Sequence, residues 1–422
     1  MHKLRGLRRG LLRCAIGCAG AIGIGSVPAF AVPYSLLTTI SIPVSSANTT
    51  GGELTSFDIS YFDGDTQTYY LSDRSNNGVD VLSAATNSFI TRVGTGTFSG
   101  AQSSPDISGP DGVMVANGQL WAGNGDSTVH VYNFTGNTYT AAPSISTGMP
   151  PTPVSTTKRS DEMAYDPTDK VAIVANDAAT PSPYVNLINA TTNTVTKQIV
   201  MNGSGGTPNA TGGIEQSVWM PSNDMFYVSI PQIGTSGPGG IAEINPLTGA
   251  VVNIYNLASF GISSCSPAGL VKGNGNQLLI GCANAGTQTI LFDPTANGNG
   301  GAVLKTFDFS GSDEVAFDAA NNMFFVTDSA AGLLGIINGM NDTFLGSVAT
   351  ATGAHSVAVD PVSGEVFVPL GAGPNNKICS GGCVAVYAPV PEPSSLTLLA
   401  AAGIMLVGTA TATRRRRRDK TH

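Results

Sequence analysis

An all-β fold, a seven-bladed β-propeller closed by its own N-terminal strand, is what this sequence predicts, on three observations. The first is composition: of 422 residues only 11% are charged and 52 are glycine, which suits short strands and many turns better than helices. The second is repetition, because between residues 32 and 389 one phrase recurs seven times at a period of 42–54 residues. The third is the content of each period, four short apolar strands parted by polar turns, which is the strand count of a propeller blade.

In chain order, residues 1–31 come first and read as a cleaved signal peptide. "MHKLRGLRRGLLR" carries five Lys or Arg, "CAIGCAGAIGIG" is apolar, and "SVPAFA" ends on Ala29 and Ala31, placing cleavage after Ala31. "RRGLLR" also has the form of a twin-arginine signal, so the general and the twin-arginine export routes both stay open. The next element is a lone strand, "YSLLTTISIP", Tyr34–Pro43.

Seven segments then stack on one another: "SFDISYFDGDTQTYYLSD" from 56, "GPDGVMVANGQLWAGN" from 109, "SDEMAYDPTDKVAIVAN" from 160, "GIEQSVWMPSNDMFYVSI" from 213, "CSPAGLVKGNGNQLLIGC" from 265, "GSDEVAFDAANNMFFVTD" from 311 and "GAHSVAVDPVSGEVFVPL" from 353. Each holds two apolar strands around a polar turn, and a third and fourth strand follow in most periods. The last period stops after its third strand, at Ala388. The lone N-terminal strand fits as its fourth, which closes the ring and removes an open sheet edge. The phrase "HSVAVDPVSGEVFV" resembles YVTN and NHL-type propellers; that resemblance covers most of the body and implies a fold rather than an activity.

Four cysteines remain after the signal. Cys265 precedes the first strand of blade five and Cys282 ends the second, and antiparallel pairing brings these ends together. A bridge there closes a loop worth roughly 3 kcal/mol. Cys379 and Cys383 flank "SGG" in a turn of blade seven and are placed to pair locally, with reduced buried thiols as the alternative. No C-x-x-C occurs, which leaves thioredoxin-like and c-type haem chemistry without support.

Residues 390–422 form a tail of three parts. "VPEPSS" opens it, Leu396–Thr413 is an uncharged run of 18 residues, and Arg414–Arg418 ends it. As a helix the run spans about 27 Å, one hydrocarbon core, with the arginines held on the cytoplasmic side. This order resembles the PEP-CTERM sorting signal of Gram-negative bacteria, matched here at Pro391, Glu392 and Pro393. The resemblance implies an exosortase as partner after export. It also implies transient anchoring in the inner membrane, processing near the Pro-Glu-Pro motif, and delivery to the cell surface or extracellular matrix.

The printed net charge of −8 conceals two basic ends around an acidic body, because residues 32–390 hold nine basic and 26 acidic residues, a difference of −17. Such a body repels nucleic-acid phosphates and favours cations. Just before strand one of successive blades stand Asp58, Asp111, Asp161, Glu215, Ala268, Asp313 and His355, with Glu162 and Glu314 directly following two of them. In a propeller these positions gather at one mouth of the central channel. Oxygen ligands of this kind suit a divalent cation such as Ca²⁺. The same residues also suit a purely structural role, accepting hydrogen bonds from neighbouring turns. Segments 176–184, 231–240 and 371–383 join strands two and three and rim that same mouth, as does the connection 148–160.

Other motifs carry less. "DGDTQ" (63–67) lacks the Gly and Glu of an EF-hand and reads as a turn, "GDS" (125–127) lies between strands, His130 alternates with Val129 and Val131 on a blade face, and Trp121 and Trp219 read as core. No G-x-S-x-G, H-E-x-x-H or phosphate loop is present. Two functions are therefore expected. The first is an exported, surface-sorted propeller that binds or scaffolds a polymer, a protein or a small ligand. The second is a metal-dependent, lactonase-like hydrolase at the channel mouth, against which the scarcity of histidine weighs.

Overall fold

The computed structural model describes residues 32–148, 158–283, 288–311 and 313–390. The signal, the Pro391–Pro393 motif, the apolar run and the arginine cluster lie outside the described residues. Within the described residues, no helix is long and apolar enough to cross a membrane.

Seven four-stranded antiparallel sheets form the blades of a propeller. Their innermost strands are Ser60–Asp63, Val113–Ala116, Met163–Asp166, Ser217–Met220, Pro267–Lys272, Val315–Asp318 and Ala358–Val359. The outer strands follow in sequence order in six blades, as the repeat requires. In the seventh, the N-terminal strand Tyr34–Ser41 lies antiparallel to Cys383–Pro389, from Tyr34 opposite Pro389 to Ser41 opposite Cys383. Val390 N–H donates to Pro33 C=O at 2.7 Å, so both ends of the body leave from one place.

One irregularity shows that this borrowed strand is a true fourth strand. It carries a bulge between Leu36 and Thr38. The pairing of strands three and four is irregular at an equivalent point in five of the other blades, and nearer the start of strand three in blade two. An added residue reverses the two-residue alternation of side chains. Tyr34 therefore enters the core between blades six and seven, whereas Ile40 enters the core between blades seven and one.

The core is a series of such inter-blade layers. Ile173, Val185, Phe226 and Val228 fill the one between blades three and four. Trp121 is fully buried in a layer of this kind, as its strand position implied. Trp219 packs against the layer between blades three and four but is only half-buried, because it also borders the channel, and its Nε1–H donates to Asp224 Oδ1 at 3.0 Å. His130 packs on a blade face against Phe98, ring centroids 4.5 Å apart. Both disulfides form, Cys265–Cys282 with Cα atoms 5.0 Å apart and Cys379–Cys383 at 6.1 Å. Two disulfides fit an oxidising, non-cytoplasmic compartment.

Candidate functional site at the channel mouth

The position before strand one is fixed by backbone pairing that continues past the strand. The N–H groups of Asp58, Asp111, Asp161 and Glu215 donate to carbonyls of strand two, those of Ser72, Gly123, Ala175 and Ser229, at 2.8–3.0 Å. Asp313, Ala268 and His355 hold the corresponding places, two residues before Val315, Leu270 and Val357. One backbone geometry thus presents the acids to one mouth. Their surroundings divide the ring in two.

On blades one to three the acids meet arginine. Arg74, in the turn after strand two of blade one, contacts Asp58 and Asp111 at 2.5 Å each. Arg159, just before strand one of blade three, contacts Asp58 at 3.3 Å, Asp161 at 2.8 Å and Asp177 at 2.9 Å. Two guanidiniums thus face four carboxylates. Burial alone would raise Asp58, but the two arginines, His355 and a hydrogen bond with Asp161 outweigh it and hold this carboxyl below its usual range. Asp111 and Asp161 each have a single guanidinium, and burial together with the charge of Asp58 lifts both well above that range.

Across the mouth the acids stand alone. Glu215 and Asp313 are partly exposed and form no ion pair among the described residues. Desolvation raises Glu215, and repulsion from Asp313 and Asp177 adds to it. Asp313 is raised as well, by burial first, although His355 pulls the other way. His355 lies flat on Phe57, 4.8 Å between centroids, with Nδ1 2.8 Å from Gly353 C=O and Nε2 3.8 Å from Asp58.

One residue further along, directly before strand one, a second tier faces the channel, a cavity of about 550 Å³. Gln216 Oε1 accepts from Leu270 N–H at 2.6 Å and from Val315 N–H at 3.2 Å, tying blade four to blades five and six. Glu314 accepts from Ser60 N–H at 3.1 Å and from Ser356 Oγ–H, tying blade six to blades one and seven. Burial pushes Glu314 up to about 8. Glu162 is buried with Oε1 unpartnered, and desolvation and the neighbouring acids lift it well above its usual range.

The structure therefore brings Asp58, Asp111, Asp161, Glu162, Glu215, Asp313, Glu314 and His355 to one mouth and the tier beneath it, but spreads them around its circumference. Among the described residues, no three of their ligand atoms lie within 4.8 Å of one another. Loops 177–183, 231–239 and 371–382, which join strands two and three, rim this mouth as the repeat implied. Sequence reasoning missed Arg74, Arg159 and Asp177. A usable signal existed, since residues 32–390 hold only three arginines, and two of them adjoin the mouth.

No family model matches the chain, and no curated protein does. Among solved structures, hydrazine synthase of Kuenenia stuttgartiensis is similar over 81% of this chain and 99% of that one, with 15% identity and a TM-score of 0.59. Raptor of Chaetomium thermophilum is similar over 85% of this chain and 29% of that one, with 12% identity and a TM-score of 0.57. At these identities the likeness shows the fold alone.

Proposed function

We propose that this propeller is an exported binding or scaffold protein of the cell envelope or matrix, and that its channel mouth holds a cationic group of its ligand. The observation that carries this is the divided ring. Blades one to three carry their own guanidiniums, while Glu215 and Asp313 face solvent without one, so an incoming ammonium or guanidinium relieves their mutual repulsion. The rigid blades and the loops around the mouth suit recognition. A hydrolase at this mouth needs converging metal ligands or a nucleophile beside a base, and the ring acids are too dispersed for the first.

Calorimetric titration of the full chain with spermidine tests the mouth. Binding is expected in the native chain and lost in the Glu215→Gln, Asp313→Asn double variant; equal binding by both would refute the assignment. Surface delivery is the second half of the proposal, supported by the signal and PEP-CTERM resemblance and by the two disulfides. Exosortase and the export machinery are its implied partners. Replacing Pro391 and Pro393 by Ala should leave the protein in the inner-membrane fraction, and unchanged surface delivery would sink the sorting assignment.

A further inference from the structure

In blades one, six and seven the turns between strands one and two, on the face opposite the mouth, share one device. Strand one ends on or just before an aspartate, and the residue three places later donates to its second oxygen. Thr66 Oγ1 donates to Asp63 Oδ2 at 2.6 Å, Asn321 Nδ2 to Asp318 Oδ2 at 2.7 Å, and Ser363 Oγ to Asp360 Oδ2 at 2.7 Å. Blade three breaks the pattern. Its aspartate, Asp166, is fully buried, and Oδ1 accepts from the backbone N–H groups of Thr168 and Asp169. The residue three places on is Asp169, an acceptor, and Asp166 Oδ2 is left buried without a partner. A third acid, Asp224, reaches in from the matching turn of blade four, oriented by the indole of Trp219. One carboxylate oxygen from each of the three lies within 4.8 Å of the others. No lysine or arginine pairs with any of them among the described residues.

An unpaired buried carboxylate oxygen is costly, and two more acids beside it add repulsion. A hard cation removes both costs. Two oxygens bound to one Ca²⁺ at about 2.4 Å are at most about 4.8 Å apart, and the three oxygens here lie within that limit. We propose that Asp166, Asp169 and Asp224 form a Ca²⁺-class site that clamps blade three to blade four at the face opposite the mouth. Asp169 and Asp224 are partly exposed, which leaves the ion a way in. The site is independent of the cationic ligand proposed for the mouth.

Blade six supplies the control, because it carries Asn321 and Asn322 where blades three and four carry Asp169 and Asp224, and Asn322 has the same left-handed backbone as Asp224, φ of 55° against 56°. Asp169→Asn therefore introduces a donor that this turn already uses elsewhere, and the variant should fold. The full chain, stripped with chelator, is titrated with CaCl₂ by calorimetry and its Tm followed. The native chain should bind one Ca²⁺ at this site and melt higher by at least about 2 °C at saturation. Asp169→Asn and Asp224→Asn should each weaken binding at least tenfold and lose the rise, while melting without Ca²⁺ no lower than the native chain. Unchanged Ca²⁺ affinity in both variants would overturn the site. So would a native chain that neither binds Ca²⁺ nor melts higher at 10 mM, which would mean that Asp169 and Asp224 share a proton instead.

Discussion

The two halves of the channel mouth share a backbone geometry and differ in what surrounds it. Asp58, Asp111 and Asp161 occupy the same place in their blades as Glu215 and Asp313, yet the first three form ion pairs with Arg74 or Arg159 and the last two form none among the described residues. A repeat fixes where a side chain stands; residues between the repeats decide its charge. The two halves should therefore respond oppositely to substitution, and Asp58 alone should titrate in the opposite direction to the other ring acids.

The largest effect should come from removing a guanidinium. Arg74→Met leaves Asp111 buried with no counter-charge, and loss of one partner of a buried pair costs about 3–5 kcal/mol. Urea denaturation at pH 7 should show that loss, and a smaller one as the medium turns acid and protonation relieves the buried carboxyls. A loss below about 1 kcal/mol at pH 7 would mean that Arg74 does not hold this half together.

Next in size is the pH dependence of Glu314. Its folded value of about 8 lies above the ordinary 4.5, so the folded state binds the extra proton. Stability from this group is fully present below about pH 4.5 and is lost as pH rises towards and through 8, by at most about 5 kcal/mol at about 1.4 kcal/mol per unit. Glu314→Gln should keep the bond from Ser60 N–H, match the native chain at pH 4 and be the more stable at pH 9. Parallel pH curves for the two proteins would place the ionised form in the native channel. Asp58 runs the other way: its lowered value contributes stability above the ordinary carboxylate range that is lost as the medium turns acid.

The smallest effect separates binding from folding. The Glu215→Gln, Asp313→Asn double variant should change stability by less than about 1 kcal/mol at pH 7, and in the favourable direction, because it removes repulsion rather than a pair. A large destabilisation would make these two acids structural, like their counterparts across the mouth.

The seven blades, the closing N-terminal strand and both disulfides were legible in the sequence, because each rests on local pattern. Alternating apolar residues mark the strands, the polar turns space them, and a last period short of one strand asks for Tyr34–Ser41. The ring position was legible for the same reason. What the ring does was not, because Arg74 and Arg159 lie in connections that no repeat aligns, and their distances to Asp58 are tertiary facts. Trp219 illustrates the same limit: its strand position implied the inter-blade layer it packs on, but only the assembled ring shows that it also borders the channel. The Asp166 cluster joins turns from two blades, so neither segment alone reveals it.

The division of the mouth is tested most directly by a carbon-13 titration of the side-chain carboxyls in the assembled protein. Asp58 should ionise below the ordinary carboxylate range, Glu215 and Asp313 above it, and Glu314 near 8, with spermidine pulling Glu215 and Asp313 downwards. Carboxyls that titrate together in the ordinary range, unmoved by spermidine, would contradict the account.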